Sequence, residues 1–154
     1  MIKIISGGQT GADRGALDAA RECGIPHGGW LPKGRATEDG PLGQEYCLQE
    51  LDSYRYRDRT RKNVQESDGT LIVSYGPLTG GSALTEALAI RYDRPCLHLN
   101  MEYFSLDEAV QAVEQWLARN AIKTLNVAGP RASSDERIYA TVRELILAIN
   151  PGKR

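Results

Sequence analysis

Short apolar runs and apolar residues at helical spacing alternate along the chain. The short runs are typical of buried strands and lie at residues 2–5, 70–75, 95–99 and 124–128. The helical patterns lie at residues 12–23, 82–91, 105–117 and 138–149. Strands that alternate with helices predict an α/β three-layer sandwich with a mostly parallel sheet. No repeat or linker divides the chain, so we expect one domain over residues 1–154.

Capping residues and apolar faces define the predicted helices further. Ser105 and Glu108 have the spacing of a capping box, and Ser133 with Glu136 predicts a second one. We expect Pro151-Gly152 to end the last helix. Two helices have a face formed by Ala16, Leu17 and Ala20, and by Leu84, Ala87, Leu88 and Arg91. The faces that we expect to be buried are Leu106, Ala109, Val110, Val113, Trp116 and Leu117, and Ile138, Val142, Leu145, Ile146 and Ile149.

Glycine-rich loops follow three of the predicted strands, at residues 6–15, 76–82 and 129–134. Glycine lets a backbone turn sharply and approach a ligand, and a helix N-terminus behind such a loop offers free N–H groups and partial positive charge. Because the carboxyl ends of parallel strands meet at one edge, the loops together predict an anion site, although each could also be a plain connection. Its predicted backbone and hydroxyl donors are Gly7, Gly8, Thr10, Gly11, Gly80, Gly81 and Ser82.

Basic residues accompany these loops. Residues 27–51 lack regular periodicity, and a long irregular segment in a compact domain is often functional. Residues 54–63 form a basic run in which we expect Thr60 to cap a short helix that ends near Ser67. A cationic wall and a solvated face are both open for this run. The cations that we expect to face the anion are Lys33, Arg35, Arg57 and Arg131.

Composition and charge narrow the classes of function. The chain is 41% hydrophobic and 25% charged, which is ordinary for a globular domain, and its net charge of -1 disfavours a nucleic-acid partner. Its 3 cysteines are widely spaced, which favours free thiols in a cytoplasm over a disulfide framework or a zinc site. We expect no signal peptide, no membrane association and no protein-bound metal.

The motifs resemble those of the molybdenum cofactor carrier proteins, a circularly permuted branch of a nucleotide-sensing superfamily that includes lysine-decarboxylase-like proteins. The resemblance extends over nearly the whole chain in one order. The matching segments are Ser6–Arg14, Gly29–Arg35, Glu38–Gly40, Tyr56–Arg57, Arg59–Thr60, Asn63–Val64, Ser67–Asp68, Thr70–Ile72, Gly80–Thr85 and Leu125–Arg131.

This resemblance implies a Rossmann-like fold, a homo-oligomer such as a dimer or tetramer, and binding of the molybdenum cofactor, a phosphorylated pterin, as cargo. Molybdate or another oxyanion is an alternative cargo. The dithiolene sulfurs of that cofactor already hold its metal, so no protein metal ligand is expected. A carrier role also implies no catalytic residue. Molybdoenzymes or cofactor-synthesis proteins are the partners it implies. The resemblance adds Gln9, Asp13, Arg14, Thr60, Asn63 and Thr85 to the binding residues named above.

Two other functions stay open. The superfamily includes phosphoribohydrolases, whose Gly-Gly-x-Gly-Thr-x-x-Glu loop supplies a catalytic Glu. Here residues 80–87 lack the Gly-Thr pair and place Glu86 one position early, which turns its side chain by about 100° around a helix. Asp13, Glu38 and Asp39 remain possible acid–base groups. A sensor of a nucleotide-derived ligand, without turnover, needs the same anion-binding loops.

Overall fold

A five-stranded parallel sheet forms the centre of the protein, seen in a computed structural model that describes residues 2–149. Its strands run in the order β2-β1-β7-β5-β6. The bounds of the strands are β1 Lys3–Ile5, β2 His27–Gly28, β5 Gly69–Ser74, β6 Cys96–Asn100 and β7 Thr124–Ala128. Two further strands, β3 Trp30–Leu31 and β4 Gln49–Glu50, pair with each other in parallel. The predicted parallel sheet is therefore confirmed.

The last strand of the chain lies in the middle of the sheet. In β7, Leu125 is in register with Ile4 of β1 on one side and with Gly69 of β5 on the other. The strands on both sides of the sheet thus precede β7 in the sequence, and β7 lies between them. This order places the loops that follow β1, β5 and β7 next to one another, at the carboxyl edge of the sheet, where open α/β sheets bind ligands.

Helices cover both faces of the sheet. Their bounds are α1 Ala12–Cys23, α2 Tyr56–Gln65, α3 Gly80–Arg91, α4 Leu106–Arg119 and α5 Ile138–Ile149. Side chains of α1, α4 and α5 form the main core with Leu71 and Val73 of β5. Val64 of α2 packs with Leu88 and Ala89 of α3 in a smaller cluster. The predicted three-layer Rossmann-like architecture is confirmed.

The segment between α1 and α2 is more regular than the sequence indicates. It contains the edge strand β2, the small β3–β4 pair and a single turn of 3₁₀ helix at Lys33–Arg35. Arg35 has a positive φ of 56°. Its guanidinium group binds four backbone carbonyl oxygens of this segment, those of Leu42, Gly43, Tyr46 and Leu48. The segment is therefore irregular over much of its length, as expected, but the partly buried Arg35 guanidinium group ties its carbonyl groups together.

Two local expectations are wrong. α2 begins at Tyr56, so Thr60 lies inside the helix and does not cap it. Ser133 does not form a capping box with Glu136, because its hydroxyl group donates to the Glu38 carboxylate and α5 begins only at Ile138. In α3 the buried residues are Ser82, Thr85, Leu88 and Ala89, so the buried side shares only Leu88 with the face read from the sequence.

Other expectations hold. The capping box of Ser105 and Glu108 is present at α4, and the expected apolar residues of α5 are all buried. In α4 the core residues are Ala109, Val113, Trp116 and Leu117, while Leu106 is exposed. The predicted stop at Pro151-Gly152 lies outside the described residues. Within residues 2–149, no helix has both the length and the apolar character that a membrane span requires.

We expect Ile146→Ala to destabilise the protein by about 2–5 kcal/mol, because Ile146 is fully buried in the main core and its loss leaves a cavity. Ile90→Ala is the matched control, since the Ile90 side chain in α3 is 71% exposed and its loss should change stability by less than about 0.5 kcal/mol. Urea unfolding of both variants measures the difference. Equal losses of stability in the two variants would contradict the placement of Ile146 in the core and of Ile90 at the surface.

Candidate functional site

A cleft of about 330 Å³ opens at the carboxyl edge of the sheet, where β1, β7 and β5 end side by side. Four segments line it. They are the first glycine loop with the start of α1, one face of α2, the loop from β5 into α3, and the loop after β7. This is the position that the three glycine loops predicted. The side chains in the cleft are mostly polar or charged, so the cleft suits a polar ligand.

The N-terminus of α3 faces this cleft without a side-chain cap. Thr79 is the N-cap residue, and its side chain makes no capping hydrogen bond. Its carbonyl oxygen accepts from the N–H groups of Ser82 and Ala83. The N–H groups of Gly80 and Gly81 have no partner among residues 2–149, and both glycines line the cleft. Free N–H groups and the helix dipole together make this end of α3 attractive to an anion.

Arg59 of α2 places a buried positive charge under the first glycine loop. Its guanidinium group donates a hydrogen bond of 2.8 Å to the carbonyl oxygen of Gly7 and lies 3.7 Å from the Asp13 carboxylate. A β-carbon on Gly7 would collide with this side chain. Glycine at this position therefore makes room for Arg59, and the loop and α2 are held together by one ion pair.

Asp13 is the negative member of that pair. Burial raises its pKa to about 6, although Arg59, the N–H group of Gln9, Arg14 and Arg131 all lower it. The carboxylate accepts a hydrogen bond from the Gln9 N–H group, at 3.2 Å, in the turn that precedes α1. A carboxyl group with this pKa changes its protonation near neutral pH, so the net charge of the cleft depends on pH.

Arg131 faces the cleft from the loop after β7. Its side chain is 43% exposed and lies 3.9 Å from the Glu38 carboxylate. Glu38 also accepts hydrogen bonds from the Ser133 N–H group, the Ser133 hydroxyl group and the Thr10 hydroxyl group. These contacts hold the pKa of Glu38 below its usual value, with the Ser133 hydroxyl group making the largest contribution. Glu38 thus joins three loops at the rim of the cleft and stays ionised.

Amide side chains complete the cleft. Oε1 of Gln9 accepts from the N–H groups of Thr10 and Glu38, which fixes the amide orientation and leaves the buried Nε2 without a partner among residues 2–149. Asn63 uses both ends of its amide to bind the backbone of Trp30. The amide group of Asn126 donates to the Thr70 hydroxyl group. The amide of Gln9 therefore holds the first loop against the Glu38 segment, and Asn63 supports the backbone of Trp30.

The structure brings together ten of the residues predicted for the site. These ten residues are Gly7, Gln9, Asp13, Thr60, Asn63, Gly80, Gly81, Ser82, Thr85 and Arg131. Of these, Thr85 directs its hydroxyl group to the carbonyl oxygen of Gly81, at 2.8 Å.

Seven predicted residues do not line the cleft. Gly8 has a positive φ of 72° and packs against the cluster of Leu31, Leu42 and Leu48. Lys33 pairs with Asp52 at 3.3 Å. The other residues outside the cleft are Thr10, Gly11, Arg14, Arg35 and Arg57.

Thr10, Gly11 and Arg14 line a separate recess on the other side of the first loop. There Arg14 donates to the carbonyl oxygen of Gly8 and pairs with Asp39. Arg57 is exposed, and Arg35 is used inside its own loop as described above. Of the cations expected to face the anion, only Arg131 lines the cleft.

Sequence reasoning missed Arg59. It lies in the same basic run as Arg57, but two residues along a helix turn a side chain by about 200°, so the two arginines point in different directions. Val64 is buried and marks the inner face of α2. This signal could have shown that Arg59, Thr60 and Asn63 lie on the cleft side of the helix. Asn126 in the middle of β7 and Tyr75 directly after β5 were also missed, because they read as ordinary strand residues.

The three candidate acid–base groups differ in placement. Asp13 lines the cleft, whereas Glu38 and Asp39 do not. Glu86, which the sequence set aside, does not line it either. Burial raises the pKa of the Cys96 thiol to about 11, and the nearby charge of Glu86 contributes to this rise. Among the residues that the structure describes, no three His, Cys, Asp or Glu side chains are grouped as a metal ion would need.

The fold and the cleft define a ligand-binding protein of the Rossmann-like α/β class. The chain belongs to the circularly permutated YpsA SLOG family, whose family model matches residues 4–150. It is also similar to a crystal structure from Syntrophus aciditrophicus SB that is named a "putative molybdenum carrier protein". The identity is 50%, the match covers 97% of this chain and 94% of that chain, and the TM-score is 0.95. The family resemblance predicted from the motifs is confirmed.

A second solved structure, (E)-4-hydroxy-3-methyl-but-2-enyl diphosphate reductase, matches at 12% identity and a TM-score of 0.42, over 96% of this chain and 59% of that chain. A likeness at this level carries no argument. A search of curated proteins found no significant match.

We expect the buried Asp13 to make stability depend on pH. The folded protein keeps a proton on Asp13 up to about pH 6, whereas the unfolded chain loses it near its ordinary pKa of 3.8. Protonated Asp13 therefore contributes up to about 3 kcal/mol to the free energy of unfolding below about pH 4. This contribution is lost as pH rises through 6.

Asp13→Asn is the control, because its amide cannot titrate but can still accept from the Gln9 N–H group. Urea unfolding of both proteins at several values between about pH 4 and pH 7 gives the difference in the free energy of unfolding. We expect the wild type to lose stability relative to Asp13→Asn as pH rises. A difference that stays constant with pH would refute the raised pKa.

Proposed function

We propose that the protein binds the molybdenum cofactor in the cleft at the carboxyl edge of the sheet, and that it protects or transfers this cargo without turning it over. The observation that carries this proposal is the convergence, in one cleft, of the free N-terminus of α3 with the guanidinium groups of Arg59 and Arg131. The name of the 50% identical relative supports the choice of cargo.

The charges of the cleft suit the terminal phosphate of this cofactor. The N–H groups of Gly80 and Gly81 approach it as a helix N-terminus does in many phosphate sites. Arg131 supplies an exposed cation that can bind oxyanions in bidentate fashion, and Arg59 adds a fixed positive charge beneath the first loop. The net charge of the whole chain is -1, so attraction of an anion has to come from this local arrangement.

The pterin ring system needs donors and acceptors in a plane. The polar side chains of Gln9, Thr60 and Ser82 border the cleft and suit such a ligand. A volume of about 330 Å³ lies at the lower end of the range for small-molecule sites, so part of the ligand would remain at the open rim. The proposal also includes that the protein is a homo-oligomer in the cytoplasm. There it exchanges its cargo with molybdoenzymes or cofactor-synthesis proteins.

We expect Arg131→Ala to weaken binding of the molybdenum cofactor at least about tenfold, because a charge-assisted contact contributes roughly 1.5–3 kcal/mol. Arg61→Ala is the matched control, since Arg61 lies in α2, pairs with Asp58 and does not line the cleft. Anaerobic ultrafiltration, followed by pterin fluorescence after oxidation, measures the affinity. Binding that is unchanged in both variants would place the ligand elsewhere.

One observation favours a second function, hydrolysis of nucleoside monophosphates. Asp13 lines the cleft beside Arg59 and has a pKa near 6, which suits a general acid or base near neutral pH. We expect no release of ribose phosphate from AMP under the carrier proposal. Turnover that Asp13→Asn abolishes would establish the hydrolase instead. Displacement of the cofactor by AMP or NAD, without turnover, would favour a nucleotide sensor.

A further inference from the structure

The ring of Tyr56 lies against both of the cations that line the cleft. Tyr56 is the first residue of α2, and Arg59 follows three positions later on the same side of the helix. The Cζ atom of Arg59 is 5.2 Å from the ring centroid. The Cζ atom of Arg131, which comes from the loop after β7, is 5.7 Å from the same centroid. One aromatic ring therefore joins two guanidinium groups from separate walls of the cleft.

The two arginines differ in how firmly other groups hold them. The Arg59 side chain is only 11% exposed and is fixed by the Gly7 carbonyl oxygen and the Asp13 carboxylate. The Arg131 side chain is 43% exposed, and its ion pair with Glu38 is long, at 3.9 Å. Loss of the ring would therefore leave Arg59 in place but would free Arg131.

The aromatic ring also matters for the repulsion between the two guanidinium groups. Two guanidinium groups side by side repel each other, and the pKa of Arg59 is lowered by burial and further by the charge of Arg131. The negative face of an aromatic ring attracts a cation without neutralising it, unlike a carboxylate. Both charges thus remain available to an anion. The Tyr56 hydroxyl group has no hydrogen-bond partner among the described residues, so the contact depends on the ring alone.

We propose that Tyr56 is a positioning residue that holds Arg131 beside Arg59, so that the two guanidinium groups bind the same oxyanion. This inference rests on the proposed function for the identity of the anion, but the contact between Tyr56 and Arg131 exists without ligand. The position of Arg131 and the binding of the cofactor can therefore be tested separately.

The first test measures the mobility of the Arg131 side chain in the ligand-free protein, by ¹⁵N relaxation of its Nε–H group. We expect Tyr56→Leu to lower the order parameter of this group and Tyr56→Phe to leave it as in the wild type. The Nε–H group of Arg59 should stay rigid in both variants, because the Gly7 carbonyl oxygen and Asp13 still hold it. Arg131 that is equally rigid in Tyr56→Leu would overturn the inference.

The second test is a double-mutant cycle on cofactor binding, measured anaerobically. We expect Tyr56→Leu to weaken binding about threefold or more and Tyr56→Phe to bind like the wild type. In a protein that already carries Arg131→Ala, Tyr56→Leu should cause no further loss beyond about twofold, because it acts through Arg131. Independent, multiplying losses would overturn the inference, as would a loss in Tyr56→Phe equal to that in Tyr56→Leu.

The two tests separate this inference from the proposed function. A wild-type protein that fails to bind the cofactor would refute the proposed cargo, and the relaxation measurement would still decide whether Tyr56 holds Arg131. A wild-type protein that binds the cofactor, with Arg131 unaffected by Tyr56→Leu, would leave the cargo standing and refute the role of Tyr56.

Discussion

The buried ion pair of Asp13 and Arg59 is the constraint on which the site depends. It joins the start of α1 to α2 beneath the first glycine loop, and Gly7 leaves the space that the Arg59 side chain fills. Loss of Arg59 would leave the Asp13 carboxyl group buried without its cation and the Gly7 carbonyl oxygen without its donor. The pair therefore fixes one wall of the cleft and holds the Arg59 guanidinium group in place there.

The remaining parts of the cleft follow from the order of the strands. Because β7 enters the sheet between β1 and β5, three loops that are distant in sequence meet at one edge. One of them ends in the uncapped N-terminus of α3, and another carries Arg131. The site thus combines rigid groups, such as Arg59, with groups whose hydrogen-bonding capacity is free, such as Gly80 and Gly81. This combination suits an anion that must be bound and later released.

Much of the fold could be predicted from the sequence, because the apolar periodicities of β5, β7, α1 and α5 are strong and agree with their burial. The glycine loops also indicated the edge of the sheet at which the cleft lies. The choice among the basic residues could not be made in the same way. Arg35, Arg57 and Arg59 are equivalent in charge, and only their local packing decides that Arg35 binds carbonyl oxygens, Arg57 faces solvent and Arg59 enters the cleft.

The most direct test of the central claim is an experimental structure of the protein with the molybdenum cofactor bound under anaerobic conditions. The account predicts the cofactor phosphate within hydrogen-bonding distance of the Gly80 and Gly81 N–H groups, with the Arg131 guanidinium group contacting the same anion. Cofactor bound outside this cleft, for example in the recess beside Arg14 and Asp39, would contradict it.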